Sequence, residues 1–267
     1  MIILTLTKNS SKTINDTIYS IENQSLKNIK WIIFDDNSND DTLDKINYSS
    51  IDKEIIKINS SGLFNAYNIS YDFLSKRNYN DLIFFLHSDD VIYNNYVLEK
   101  VVFQFNKYQL DSLFGNVSFF KKNQFKFFRT WKNKENISKL IDNDLFLIKK
   151  FQKKDLLNGW SFSHTSFFFH SRILNLLPRY DEDYEFCSDY GWILDIMLQN
   201  KFNIYYYNLN VIKMRYGGKS TKIKNLIINT FIDYLILRKR FLKSFIDFFF
   251  ILTVLLAKKL RKISQFF

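Results

Sequence analysis

The stretch Trp31-Ile-Ile-Phe-Asp-Asp-Asn-Ser-Asn-Asp-Asp-Thr42 decides the fold prediction for this chain. A run of bulky apolar residues ends in two carboxylates, which are followed by residues that favour turns. This order is typical of a buried parallel strand that carries Asp35 and Asp36 to the carboxyl edge of a sheet, where open α/β sheets bind ligands. The alternative is that the two carboxylates only begin a surface turn.

The same pattern recurs about fifty residues later, in Asp81-Leu-Ile-Phe-Phe-Leu-His-Ser-Asp-Asp90. A carboxylate pair at the end of such a strand suits Mg²⁺ or Mn²⁺, which take carboxylate and substrate phosphate oxygens as ligands. The alternative is that Asp89 and Asp90 cap the helix that begins near Asn94. Two strands with acidic pairs at one sheet edge indicate a site for a nucleotide and a divalent metal.

The first hundred or so residues alternate strand and helix patterns. The predicted strands cover residues 2–7, 30–35, 54–58 and 82–86, and the predicted helices cover residues 11–24, 42–48, 63–76 and 94–105. The apolar positions Ile14, Ile18 and Ile21 recur at helical spacing. This alternation predicts a mainly parallel sheet that is covered by helices on both faces.

The pattern changes after about residue 111. The predicted elements are paired strands at 112–120 and 124–130, helical stretches within 139–156, a strand at 165–169, helices at 171–177 and 189–199, and strands at 204–207 and 211–215. No repeat or linker interrupts them. We therefore predict an α/β catalytic domain with a Rossmann-like mixed sheet over residues 1–220, followed by a helical tail over residues 221–267.

Charge, cysteine content and missing motifs exclude several classes. The net charge is +11, but residues 222–267 alone contribute +8, so the body offers little basis for nucleic-acid binding. A single cysteine, Cys187, excludes disulfides and thiolate metal sites within one chain. Neither a dinucleotide-binding G-x-G-x-x-G nor a phosphate-binding G-x-x-x-x-G-K-[ST] follows the first strand.

A third acidic position lies in Glu182-Asp-Tyr-Glu-Phe-Cys-Ser-Asp-Tyr-Gly-Trp192, where Asp189 begins a predicted helix. One interpretation is that Asp189 caps this helix. The other is that it acts as a general base that deprotonates an acceptor hydroxyl. The residues alone leave both interpretations open.

Taken together, these motifs resemble the family 2 glycosyltransferases with the GT-A fold of the nucleotide-diphospho-sugar transferases. The resemblance covers roughly residues 1–220. It is carried by seven segments in the same order: Ile3-Leu-Thr-Leu-Thr7, Phe34-Asp-Asp-Asn-Ser38, Gly62-Leu-Phe-Asn-Ala-Tyr-Asn68, His87-Ser-Asp-Asp90, His164-Thr-Ser-Phe-Phe168, Ser188-Asp-Tyr190 and Gly217-Gly-Lys-Ser220.

The resemblance implies a role for each matching residue. Asp189 would be the catalytic base and Asp90 the ligand of Mg²⁺ or Mn²⁺. The donor-binding set would comprise Thr5, Thr7, Asp35 and Asp36 at the nucleotide base, Asp89 near the ribose, and Asn68 and His164. For His164, a packed histidine without such a role is the alternative. The chain departs from the family at Asn65 and Gly191, where charged residues are common, so its donor preference is less certain.

The activity implied is metal-dependent, inverting transfer of a sugar from a nucleotide-diphosphate donor, preferably a UDP-sugar. The acceptor would be a hydroxyl of a cell-surface glycan or a lipid-linked saccharide, which would place the enzyme in polysaccharide biosynthesis for the cell envelope. One alternative is an inactive nucleotide-sugar-binding or scaffold protein of the same fold. Another is a sugar nucleotidyltransferase, but those chains usually carry a glycine-rich basic loop where this one has only Lys8.

The tail combines an apolar run with basic flanks. Residues 245–257 are apolar except for Asp247 and Thr253, and lysines and arginines lie on both sides. The run is shorter than the ~20 apolar residues of a spanning helix. It suits a helix on an anionic membrane surface; the alternative is a helical pair that packs on the body or in a homo-oligomer. We expect no signal peptide and a cytoplasmic, peripheral location at the inner face of the cell membrane.

Overall fold

A computed structural model describes residues 1–120, 127–131, 138–142, 144–148, 151–158, 162–185, 187–215 and 223–264. Within these residues, eleven strands form one sheet in the order β3-β2-β1-β4-β10-β6-β11-β9-β8, with β5 paired to β11 and β7 paired to β6. Helices flank the sheet. This architecture confirms the predicted mixed α/β class.

The N-terminal half follows the predicted alternation closely. Its elements are β1 Ile2–Thr7, α1 Ile14–Glu22, β2 Lys30–Asp35, α2 Thr42–Asn47, β3 Lys53–Lys57, α3 Leu63–Ser75, β4 Leu82–Phe85, β5 Val91–Ile92 and α4 Val97–Tyr108. Strands β3, β2, β1 and β4 are parallel neighbours. The predicted helical face of α1 is buried at Ile14, Ile18 and Ile21. Continuous apolar strands are therefore covered on both faces, as parallel sheets require.

The C-terminal half is more irregular. Its elements are β6 Ser112–Phe120, β7 Phe127–Trp131, β8 Ser138–Asp142, β9 Leu145–Ile148, β10 Phe167–His170, α5 Ser188–Gln199, β11 Ile204–Arg215, α6 Ile223–Phe241 and α7 Phe245–Ser264, with short 3₁₀ turns at Lys153–Asn158, His164–Ser166 and Ser171–Leu176. Strand β10 runs antiparallel to both β4 and β6 and joins the two halves of the sheet.

The helical prediction for residues 139–156 is wrong. Residues 139–142 and 145–148 of this segment lie in the antiparallel strands β8 and β9, and residues 153–158 form a 3₁₀ turn. The apolar run of β9 pairs with β11, where Tyr205 lies opposite Leu147. Turn-forming Asp and Asn residues between two short apolar runs favour a hairpin, and the free side of β11 supplies the partner that holds it.

The two strands predicted at 204–207 and 211–215 form one continuous strand, β11. The register of β11 against β6 shifts between Tyr206 and Ile212, which is the signature of a β-bulge. Gly115 of β6 lies opposite this irregular region, and a Cβ atom there would come within 2.5 Å of Val211 Cγ1. The glycine therefore leaves room for the Val211 side chain beside the bulge.

The tail helices pack on the body. Ile236 and Leu237 of α6 and Ile251 of α7 are buried in the same hydrophobic cluster as Trp192 of α5. Arg240 adds an ion pair with Asp195 of α5. The tail is thus a helical pair with one face on the body, and its division from the body at residue 220 stays a prediction.

Candidate active site

The residues predicted to line the nucleotide pocket lie at the carboxyl ends of β1 and β2. Thr7 and Asp35 are paired neighbours across the two strands. The Thr7 hydroxyl and one Asp35 carboxylate oxygen are buried and lack hydrogen-bond partners among the described residues. Thr5 differs, because its fully buried hydroxyl accepts a 2.9 Å hydrogen bond from Trp31 Nε1. Thr7 and Asp35 therefore retain hydrogen-bonding capacity, whereas Thr5 is engaged within the core.

Asp36 is neutralised by the protein itself. One carboxylate oxygen lies 2.8 Å from Lys8 Nζ, and the other accepts a 2.8 Å hydrogen bond from the backbone N–H of Ser60. Burial alone would raise the pKa of Asp36, but these two hydrogen bonds outweigh burial and lower it. Asp36 is therefore a stable carboxylate that holds the ends of three loops together.

The loop after β4 is held in place by three side chains that bind its backbone oxygens. The hydroxyl of Thr13 donates to the carbonyl of Ser88 at 3.0 Å, and that of Thr17 donates to the carbonyl of Asp90 at 2.8 Å. Arg215 Nε donates to the carbonyl of Asp89 at 3.0 Å. The acidic pair therefore stands on a fixed backbone, which favours a defined ligand geometry.

His87, Asp89 and Asp90 form a cluster that could hold a metal ion. One ligand atom from each residue lies within 4.8 Å of the others. The Asp90 side chain is buried, and its Oδ2 has no hydrogen-bond partner among the described residues. Burial, and then the charge of Asp89, raise the pKa of Asp90 well above its usual range. A buried carboxylate oxygen without a hydrogen-bond donor fits a cation as its partner.

Asp189 lies in the first turn of α5 and faces His164. His164 Nδ1 lies 3.1 Å from Asp189 Oδ2, and the Asp189 side chain is 37% exposed. Burial would raise the pKa of Asp189, but the hydrogen bond from His164 and the charges of His164 and Lys258 lower it. Asp189 is therefore an ionised carboxylate with one oxygen held by an imidazole and a side chain still open to a second partner.

Tyr67 connects the metal cluster to Asp189. Its hydroxyl forms a short hydrogen bond with His87 Nε2 and lies 3.4 Å from His164 Nε2. The rings of His87 and His164 are 5.4 Å apart, and His87 Nδ1 lies 3.7 Å from Asp90 Oδ2. Burial, together with the neighbouring His164, lowers the pKa of His87 to about 4, so its ring is neutral at pH 7. The predicted metal ligand and the predicted base thus lie at the two ends of one chain of touching side chains.

Asn68 supports the loop that leads to Asp189. Its side-chain amide pairs with the backbone of Tyr180 in both directions, at 2.9 and 3.0 Å, and also donates to Glu182 at 2.6 Å. The neighbouring Asn65 donates to the second oxygen of Glu182. In this structure Asn68 orders the loop that precedes α5, and its contact with a donor stays a prediction.

The structure gives a physical role to the unusual glycine after Tyr190. A Cβ atom on Gly191 would lie 3.1 Å from Arg240 Nη2, and this nitrogen donates to the Gly191 carbonyl. The tail arginine therefore occupies the space that a side chain at position 191 would otherwise fill. The segment Gly217–Ser220, which contributed to the sequence resemblance, lies outside the described residues.

Sequence reasoning missed His87 and Tyr67 as parts of this site. A histidine two residues before an acidic pair at a strand end is a signal for His87, since imidazole is a common metal ligand. Tyr67 carried no such signal, because an aromatic residue on an apolar helix face is usually a core residue. Only the packing of α3 against β4 brings its hydroxyl between the two histidines.

Comparison with known proteins identifies the family and the fold. The family model described as "Glycosyl transferase family 2" matches residues 2–176. No curated protein sequence matches the chain.

Several solved structures share the fold. S. aureus TarS superposes with a TM-score of 0.62 at 16% identity, covering 96% of this chain and 43% of TarS. The S. aureus TarS 1-349 complex with UDP-GlcNAc gives 0.62 at 15% identity, with coverages of 98% and 72%. GalNAc-T7 with UDP, GalNAc and Mn2+ gives 0.59 at 10% identity, with coverages of 89% and 50%. The chain spans less than half of the longer TarS structure, and at these identities the likeness shows the fold alone.

Proposed function

The chain belongs to glycosyl transferase family 2, and on that premise we propose that it is an inverting, metal-dependent enzyme that uses a UDP-sugar. Nucleotide-sugar transfer as such follows from the family. The observation that carries the finer proposal is the contact chain from Asp90 through His87, Tyr67 and His164 to Asp189. It joins Asp90, a carboxylate suited to bind a metal, to Asp189, a carboxylate suited to act as a general base, within one site.

The chemistry follows from the two ends of this chain. An acceptor hydroxyl oxygen attacks the anomeric carbon, the bond from that carbon to the diphosphate oxygen breaks, and Asp189 takes the hydroxyl proton. Because attack and departure occur on opposite faces, a single displacement inverts the anomeric centre. His164 holds the Asp189 carboxylate at 3.1 Å. A divalent ion bound at Asp90, with Asp89 or His87 beside it, would neutralise charge on the departing diphosphate.

The nucleotide end of the proposal rests on Thr7 and Asp35. These neighbours at the carboxyl edge of the sheet each present a polar atom without a partner among the described residues. A nucleobase offers both donors and acceptors, and UDP-GlcNAc and UDP are bound in the TarS 1-349 structures. We therefore propose UDP as the nucleotide, while the sugar is best found by a screen of UDP-sugars.

The test is the Asp189→Asn variant, assayed with UDP-sugars and a hydroxyl acceptor. Loss of a general base should lower the transfer rate about 10²–10⁴-fold, while UDP binding with Mn²⁺, measured by calorimetry, stays close to wild type. Asp195→Asn is the matched control, because Asp195 lies on the same helix and pairs with Arg240. Wild-type transfer by the Asp189 variant would end the base assignment. UDP binding that EDTA leaves unchanged would end the metal role.

We also propose that the acceptor side works at an anionic membrane surface. Exposed apolar residues line one face of α7 at spacings of three and four: Phe245, Phe249, Leu252, Leu256 and Leu260. Such spacing places them in a single stripe along the helix. In the part of the chain that the structure describes, no helix combines the length and hydropathy that crossing a membrane needs. The stripe therefore suits a helix that lies in the interface plane.

Basic residues favour a membrane over a second copy of the chain as the partner of α7. Arg238, Lys243 and Lys259 are exposed near the two ends of the stripe. Like charges would repel each other across a self-association seam, whereas anionic headgroups attract them. A lipid-linked saccharide is the acceptor class that such a location favours.

Vesicle binding tests the membrane proposal. The full chain should co-sediment with phosphatidylglycerol-containing vesicles and less with pure phosphatidylcholine. The double variant Phe249→Glu with Leu256→Glu should lose this binding, whereas Phe103→Glu, at an exposed apolar position of α4, should keep it. Equal binding by all three proteins, or a stable dimer that the double variant dissociates, would reject the membrane surface as the partner of α7.

A further inference from the structure

We propose that Tyr67 is a positioning residue that turns His87 into a nitrogen ligand of the metal and keeps His164 hydrogen-bonded to Asp189. The idea builds on the proposed function, because it concerns the same metal and the same base. Its basis is geometric: a single hydroxyl lies within hydrogen-bond distance of both imidazole Nε2 atoms. Tyr67 thereby contacts both His87, which lies beside the proposed metal ligand, and His164, which holds the proposed base.

Metal ligation by His87 would set the direction of every hydrogen bond in this network. A cation at His87 Nδ1 requires that nitrogen to be free of a proton, so His87 Nε2 would carry the ring proton and donate it to the Tyr67 oxygen. A hydroxyl has one proton, so the Tyr67 O–H would then be directed to His164 Nε2, 3.4 Å away. An ionised carboxylate only accepts hydrogen bonds, so His164 Nδ1 carries the proton that points to Asp189.

This assignment leaves a lone pair on His87 Nδ1. That atom lies 3.7 Å from Asp90 Oδ2, and the two belong to the cluster with Asp89. A metal-binding imidazole commonly donates its other N–H to a protein acceptor, which fixes the tautomer and the ring orientation. Here the acceptor is Tyr67, and the imidazole nitrogen and the buried carboxylate oxygen face the same small space.

The opposite assignment makes the metal site worse. If Tyr67 donated to His87, then His87 Nδ1 would carry a proton directed at the metal cluster and could not ligate a cation. His164 would at the same time have lost its donor from Tyr67. The hydroxyl therefore links two conditions, a free nitrogen at the metal and an imidazole held against the base.

The ring of Tyr67 is held independently of its hydroxyl. It is fully buried, stacks on Tyr180 at 4.7 Å and packs edge-on against Phe85 at 4.9 Å. Tyr67→Phe therefore removes the hydroxyl while the packing stays. Tyr71→Phe is a matched control one helical turn later, since Tyr71 is also buried and packs against the same two rings. Its hydroxyl has no hydrogen-bond partner among the described residues.

Pulsed electron paramagnetic resonance with Mn²⁺, alone and with UDP, is the direct test. The wild-type protein and Tyr71→Phe should show the ¹⁴N coupling of a directly bound imidazole, and His87→Asn should lose it. Tyr67→Phe should weaken the coupling and raise the Mn²⁺ dissociation constant about 10–100-fold. At saturating Mn²⁺ it should still show a reduced kcat, because His164 has lost its donor. Thermal unfolding confirms that each variant is folded.

The outcomes separate this inference from the proposed function. A bound Mn²⁺ without ¹⁴N coupling in the wild type would reject His87 as a ligand. Equal Mn²⁺ dissociation constants and kcat values for Tyr67→Phe and Tyr71→Phe would reject Tyr67 as the positioning residue. If UDP fails to strengthen Mn²⁺ binding while the ¹⁴N coupling is present, the His87 ligand stands and the metal-dependent use of UDP falls.

Discussion

Asp36 follows β2 and Asp90 lies in the loop after β4, at the same edge of the sheet. The fold nevertheless gives the two carboxylates opposite surroundings. Asp36 receives Lys8 and a backbone N–H, and its pKa is lowered. Asp90 is buried beside Asp89 without a hydrogen bond to its Oδ2, and its pKa is raised. The difference teaches that Asp36 is a carboxylate neutralised from within, whereas Asp90 keeps an oxygen free for the cation that we propose.

The largest expected effect is on metal-induced stability. Mn²⁺ at about 100 times its dissociation constant should stabilise the wild-type protein by about 2.7 kcal/mol, because it binds only the folded form. Asp90→Asn should abolish this gain, and Asp36→Asn should keep it. Differential scanning calorimetry with and without Mn²⁺ measures both. Equal Mn²⁺ shifts in the two variants would erase the proposed difference between the carboxylates.

A second, smaller effect should appear without metal. Asp36→Asn leaves Lys8 without its partner and weakens the bond from Ser60, so the free energy of unfolding should fall by about 1–3 kcal/mol. Asp90→Asn should leave it unchanged or raise it, because a buried carboxylate whose Oδ2 lacks a hydrogen-bond donor is removed. Urea denaturation at pH 7 gives both values, with the exposed Asp52→Asn as control. A larger loss for Asp90→Asn than for Asp36→Asn would contradict this expectation.

The smallest effect is the pH dependence that Asp36 contributes to stability. Its pKa in the folded protein lies below the value of about 3.9 in the unfolded chain. The stability that it contributes is therefore fully present above pH ~4 and is lost as the pH falls through the folded pKa. The destabilisation by Asp36→Asn should be constant from about pH 7 to pH 5 and shrink below about pH 4. A penalty that persists in full under acid conditions would mean that Asp36 acts through packing rather than charge.

The strands of the first half were predictable because their signal is local. Trp31–Phe34 is a continuous apolar run that ends in polar turn formers, and the structure buries it completely in β2. The same holds for residues 83–86 before the second acidic pair. Each pattern is contained within one segment, so strand ends and acidic residues could be located without knowledge of the neighbours.

The second half was less predictable because partners far along the chain decide its structure. Strand β9 exists as the neighbour of β11, some sixty residues later. Its short apolar run suits a helix or a strand equally well by itself. The partner of the tail could not be predicted for the same reason, because its composition fits a membrane or a protein surface. Contacts such as the ion pair of Arg240 with Asp195 show that one of its faces lies on the body.

The acidic residues of the site could be predicted, but their connection could not. Both could be located by position: Asp90 comes after the end of a predicted strand, and Asp189 begins a predicted helix. Tyr67 belongs to α3 and His87 to the loop after β4. Their contact depends on how that helix packs on the sheet. No spacing in the sequence encodes a hydrogen bond between side chains on different elements.

The sequence by itself determined the α/β class, the sheet edge that carries the site and the carboxylates that could perform the chemistry, because strand burial and turn chemistry are local properties. Tertiary structure alone decided the electrostatic state of each carboxylate. It did so by bringing Lys8 to Asp36, withholding such a partner from Asp90 Oδ2 and placing Tyr67 between His87 and His164. Charge and hydrogen bonding depend on distance in space, and residues far apart in the chain meet only when the sheet and its helices pack together.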